Sequence, residues 1–190
     1  SLNMAVRTLQ TENNIIFFCS FTCLNWMNLF KILDFYSEIY KWFDKLKEKK
    51  CEIIGYVIMP NHMHLLLFIP EFLSINKLIG NGKRFMAYEI VKQLERSKYQ
   101  KILSSMEAVV TKQEKTRGKK HRVFQPSFDS KPVYEEGFLI QKLDYIHHNP
   151  VSGKWNLVDD FTEYQHSSAG FYELGKEGIY PITHYKDILG

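Results

Sequence analysis

The chain has 190 residues, 45% of them apolar and 15% aromatic, with 24% charged and a formal net charge of +4. That length can bury one core, so a single unit spanning 1–190 is expected, with a core at about 14–150 and a C-terminal extension at 151–190. The aromatic content excludes a disordered polyelectrolyte, and the mild basicity suits a polyanionic partner without requiring one. Cys19, Cys23 and Cys51 follow no ligand spacing, so free thiols in a reducing cytoplasm are expected. No leader pattern or membrane-length apolar run is present, and Ser1 to Asn3, ahead of Met4, read as a cloning remnant.

Asn14 to Thr22 (NIIFFCSFT) is rich in β-branched and aromatic residues and predicts a first strand. Between Leu33 and Lys47, Phe35, Ile39, Trp42, Phe43 and Leu46 recur at helical spacing and define one face of an amphipathic helix. Cys51 to Met59 and His62 to Ile69 are apolar runs divided by Pro60-Asn61, which predicts a hairpin in the middle of a sheet. Ser74 is placed to cap a helix reaching about Arg96, with Gly80-Asn81-Gly82 as a point of irregularity. Lys112 to Arg122 contains no apolar residue and reads as an exposed, mobile loop. A last strand is expected at Val123 to Phe128, then a helix at Glu135 to His148 packed through Phe138, Ile140, Leu143 and Ile146. Pro150 ends that helix, and an aromatic tail of undefined structure follows.

The sharpest local feature is His62-Met-His64 entering an apolar strand. Side chains alternate along a strand, so both imidazoles share one face, where their neutral nitrogens suit a divalent cation. Histidines that merely occupy a sheet face remain the alternative. Near the end of the late helix, Tyr145 and Asn149 stand four residues apart, a phenol and an amide on one face. A phenol needs a base or a nearby cation to become a nucleophile. An ordinary packed tyrosine, with Asn149 only ending the helix, is the alternative here.

Taken together, Gly55 to Leu67 (GYVIMPNHMHLLL) and Tyr145 to Val151 (YIHHNPV) resemble the transposases that combine one catalytic tyrosine with a His-hydrophobic-His motif. The REP-associated branch of these IS200-like enzymes is the nearer match, and the resemblance runs from about Ile15 to Tyr172. It implies an α+β, ferredoxin-like fold: four antiparallel strands with two helices on one face, and the late helix leaning Tyr145 toward the histidines. It further implies that His62, His64 and Asn149 hold magnesium or manganese, while Tyr145 cuts single-stranded or hairpin DNA through a 5′-phosphotyrosine. Small insertion-sequence relatives carry Gln where this chain has Asn149, which makes direct ligation by Asn149 depend on how closely the helix approaches. The long tail favours a monomer over the dimer of those relatives.

Basic residues offered for phosphate contacts are Lys83, Arg84, Lys112, Lys115, Arg117, Lys119, Lys120 and Arg122, and Trp155, Tyr164 and Phe171 are candidates for base stacking. A solvated charge run and a packed tail are the plainer alternatives. The rival functions are a non-catalytic nucleic-acid-binding module and a metal-dependent phosphoesterase that uses water.

Overall fold

Apolar runs with alternating side chains become strands of one antiparallel sheet, and its two faces are covered by different helices. The computed structural model describes residues 14–126 and 129–189. In chain order these form β1 (Asn14–Thr22), α1 (Leu29–Ile32), α2 (Tyr36–Glu48), β2 (Glu52–Ile58), β3 (His62–Pro70), α3 (Ile75–Arg96), α4 (Gln100–Ala108) and α5 (Lys112–Thr116). β4 (Asp129–Val133), α6 (Glu136–His148), α7 (Ala169–Leu174) and α8 (Tyr185–Leu189) follow. The strands lie in the order β2-β3-β1-β4, each pair antiparallel, which is the ferredoxin-like βαββαβ arrangement.

On one face α2 and α3 bury Ile39, Trp42, Phe43, Met86 and Ile90 against Phe21, Met63, Leu65 and Leu67. α2 begins at Tyr36 rather than Leu33 because Asp34 takes a left-handed backbone (φ 47) and separates it from α1. Ser74 caps α3 by accepting from Lys77 N–H. That helix runs unbroken through Gly80-Asn81-Gly82. At Gly82 a Cβ would come within 2.4 Å of the Trp42 indole, so glycine is what lets α2 and α3 cross this closely. On the other face α6 packs Leu139, Leu143 and Ile146 onto Ile16, Phe18, Ile54, Val57 and Leu66.

Four expectations are corrected. The hairpin is not wholly central: β3 is internal, but β2 is an edge strand. The tail seals that edge, with Ile58 N–H donating to His166 O, Ser168 N–H to Tyr56 O and Thr183 N–H to Ile53 O. Lys112 to Arg122 is no open loop, because a Thr111/Glu114 capping box starts α5 and Glu114 then bridges Lys119 and Arg122. The last strand is β4 rather than 123–128; Phe124 makes only an isolated bridge to Cys23, and residues 127–128 lie outside the described residues. In α6 it is Leu139, not Ile140, that faces the core; Ile140 is exposed.

The three cysteines are buried and free, and burial raises Cys19 and Cys23 to about 12 and Cys51 to about 11. Among the described residues no helix is long and apolar enough to cross a membrane.

Candidate active site

Strand register decides which side chains meet. Ser20 pairs with His64 and Thr22 with His62, so both imidazoles join Phe18 on the sheet face turned away from α2 and α3. α6 lies across this face because Gly55 lets it in: a Cβ there would sit 2.5 Å from Leu143 Cδ2. The approach brings the Tyr145 ring to 5.4 Å from that of His64, which is itself 5.0 Å from His62 between centroids. Tyr145 is 52% exposed, whereas His64 and Asn149 are each 8% exposed. Together they line a cleft of about 530 Å³, with Trp26, Lys142 and Trp155 at its walls.

Hydrogen bonds fix how the donor atoms point. Asn61, 1% exposed, donates through Nδ2 to Trp26 O at 3.2 Å, which turns its Oδ1 to His62 Nδ1 at 2.7 Å. His62 therefore carries its proton on Nδ1 and presents a lone pair at Nε2. Asn149 donates through Nδ2 to Tyr145 O at 3.1 Å, so its Oδ1 faces that same Nε2 at 3.0 Å. His64 Nδ1 is bonded to Ser20 Oγ, and its ring also interacts with the Asn149 side chain.

The lone pairs of His62 Nε2 and Asn149 Oδ1 thus face each other where a proton or a cation belongs. Burial disfavours the proton: it lowers His62, with the Asn149 contact opposing and Lys154 reinforcing the shift. It lowers His64 to about 3, helped by the neighbouring His62, opposed by Asn149, and helped further by Lys142. Adjacent ligands on an octahedral ion with bonds of about 2.1 Å lie about 3.0 Å apart. The 3.0 Å between His62 Nε2 and Asn149 Oδ1 matches that spacing, so this donor set fits a divalent cation. Among the described residues no three His, Cys, Asp or Glu side chains cluster for a metal, so the fit relies on the Asn149 amide.

Sequence reasoning missed Asn61, Ser20, Trp26 and Lys142. Only Lys142 left a signal, since it precedes Tyr145 by three residues and shares its helix face. Its Nζ stands 4.7 Å from the Phe18 ring and 5.6 Å from that of Tyr145. The basic candidates gather elsewhere. Lys83, Arg84, Arg117 and Lys119 line a second cleft, beside α3, on the other side of the sheet. Lys120 borders an adjoining hollow, Lys112 and Lys115 stand out on α5, and Arg122 is tied to Glu114. Of the three tail aromatics offered for stacking, Trp155 lines the cleft of Tyr145, whereas Tyr164 donates to Ile58 O and Phe171 packs on Tyr172 and His184.

A family model described as IS200-like transposase matches residues 31–149, a span that includes His62, His64, Tyr145 and Asn149. The chain belongs to the IS200-like transposase family. A solved structure described as a REP-associated tyrosine transposase bound to a REP hairpin resembles this transposase in fold, with TM-score 0.59 over 95% of this chain and 88% of that one. The two are 16% identical. A search of curated proteins gives no significant match to this transposase.

Proposed function

We propose that this transposase nicks single-stranded DNA beside a hairpin through Tyr145 and rejoins it by the reverse reaction. The observation that carries this reading is the half-exposed Tyr145 ring, 5.4 Å from the His64 ring, above the facing pair His62 Nε2 and Asn149 Oδ1. The phenolic oxygen attacks phosphorus and its proton passes to solvent. The bond from phosphorus to the 3′ oxygen breaks, and that oxygen takes up a proton, leaving a 5′-phosphotyrosine and a free 3′-hydroxyl. One phosphodiester replaces another, so a second 3′-hydroxyl can reverse the step without a nucleotide cofactor.

His62, His64 and Asn149 would hold magnesium or manganese, which when bound polarises the phosphate and steadies the leaving oxygen. Asn61 and Ser20 keep the imidazoles turned toward that position. The Lys142 ammonium, held over the Phe18 and Tyr145 rings, meets the negative charge of the incoming phosphate. Tyrosine and histidines of the cleft come from one chain, which supports action as a monomer. Asn149 in place of Gln, and a structural neighbour whose description includes a REP hairpin, favour the REP-associated branch and hairpin-bearing strands as substrate.

The test is incubation with hairpin oligonucleotides carrying single-stranded flanks, in magnesium or manganese. The expected product is a denaturant-stable protein–DNA adduct that Tyr145→Phe cannot form. Binding with no adduct on any such substrate would instead mark a non-catalytic module. Cleavage that survives in Tyr145→Phe would mark a phosphoesterase using water.

A further inference from the structure

Trp26 is 60% exposed, although burial is where an indole stabilises a fold. Its backbone is also unfavourable, since Asn25 (φ 53) and Trp26 (φ 57) are consecutive left-handed residues bearing side chains. The surroundings impose this shape: Trp26 N–H donates to Cys23 O at 3.0 Å, and Asn61 Nδ2 grips Trp26 O. What the strained turn achieves is placement. The indole stands edge-on to His62, with centroids 6.4 Å apart and planes at 71°. A second indole, Trp155, lies 6.5 Å from the same imidazole. Lys154 Nζ sits 5.2 Å from the Trp155 ring, and Lys131 and Lys142 line the cleft between the walls.

We propose that Trp26 and Trp155 are stacking platforms for the nucleobases flanking the phosphate presented to Tyr145, and that they restrict this point of the cleft to unpaired DNA. Aromatic faces accept any base whose own faces are free, and the lysines supply the charge that a phosphate backbone requires. A base inside a duplex has both faces covered by its neighbours, so it cannot lie on either indole. The proposal rests on DNA being the ligand of this cleft, and it gives a use to the strained, solvent-facing tryptophan beside the histidines.

The experiment uses the full chain carrying Tyr145→Phe, in EDTA, with a fluorescent hairpin bearing a mixed-sequence single-stranded flank. Trp26→Gly removes the indole and suits the left-handed backbone, so its thermal stability is expected to equal or exceed that of its parent. Its Kd, and that of Trp155→Ala, is expected to rise by roughly 5- to 100-fold, with Trp26→Phe recovering most of the loss. A blunt duplex should be bound equally by all variants. Walking one abasic nucleotide along the flank should reveal a position at which Trp26→Gly costs nothing more, because the two changes remove one contact. An unchanged Kd in Trp26→Gly, or equal losses at every abasic position and on the duplex, would overturn the proposal. A Tyr145-dependent adduct from the unsubstituted chain, together with an unchanged Kd, would sink stacking alone. Indole-dependent binding without any adduct would sink the transferase reading alone, and no DNA binding at all would sink both.

Discussion

Asn61 shows how much of this site lies in a residue that does no chemistry. It grips the backbone of Trp26 with one end of its amide and holds the Nδ1 proton of His62 with the other. Asn61→Ala frees the imidazole to rotate and to change tautomer, and loss of such a partner typically weakens a metal site by about 10- to 100-fold. Calorimetric titration with manganese is expected to show that loss in a chain that remains folded; unchanged affinity would mean the ring is held by something else. That His62 shares a face with His64, and Tyr145 with Asn149, was legible from strand and helix periods. Asn61 read only as a turn residue, since its role depends on a left-handed turn that begins far upstream. Ser20 was equally hidden, because cross-strand register brings it to His64.

At the scale of elements, α6 was found from the sequence with Leu143 and Ile146 on its buried side, but Ile140 was set there in place of Leu139. Its periodicity is blurred because the apolar Ile140 and Tyr145 stand on its exposed side, while Leu139, Leu143 and Ile146 are buried. β4 was missed because Asp129-Ser-Lys-Pro-Val133 looks like a turn, yet an edge strand tolerates proline. The Thr111-x-x-Glu114 box was present in the sequence but obscured by the surrounding charge. Ser168 joins three elements: its Oγ accepts from Tyr56 N–H at 3.0 Å and lies 3.3 Å from Tyr56 O and 2.7 Å from His147 Nε2. Ser168→Ala is expected to cost about 1–3 kcal/mol in urea unfolding, because it leaves buried partners unsatisfied. It should also slow adduct formation without changing DNA affinity, since α6 carries Tyr145. Normal adduct kinetics in this variant would separate the tail from the site.

Across the whole molecule, two buried histidines tie stability to pH. Burial lowers His64 to about 3 and, with His148 contributing, lowers His147 to about 4. Both are neutral in the folded and unfolded states above the unfolded value of about 6.5. As pH falls below that value the unfolded chain binds protons that the folded chain refuses, so stability drops steadily down to about pH 4. Urea midpoints of the metal-free protein are expected to be level from pH 8 to 7 and to decline between pH 6.5 and 4.5; a flat profile would place these imidazoles in contact with water. The sheet also divides labour between its faces, with the tyrosine cleft on one and the basic cleft of Lys83, Arg84, Arg117 and Lys119 on the other.

The segment that seals β2 and backs α6 comes after every candidate catalytic side chain in chain order. Tyr164 and Thr183 bond to β2, and Ser168 bonds to β2 and to His147 of α6, so the residues that brace the tyrosine helix follow Tyr145 and Asn149 in the chain. An unfinished or prematurely stopped polypeptide would possess the reactive groups without their scaffold. The setting of the cleft thus depends on residues that lie beyond it in the chain.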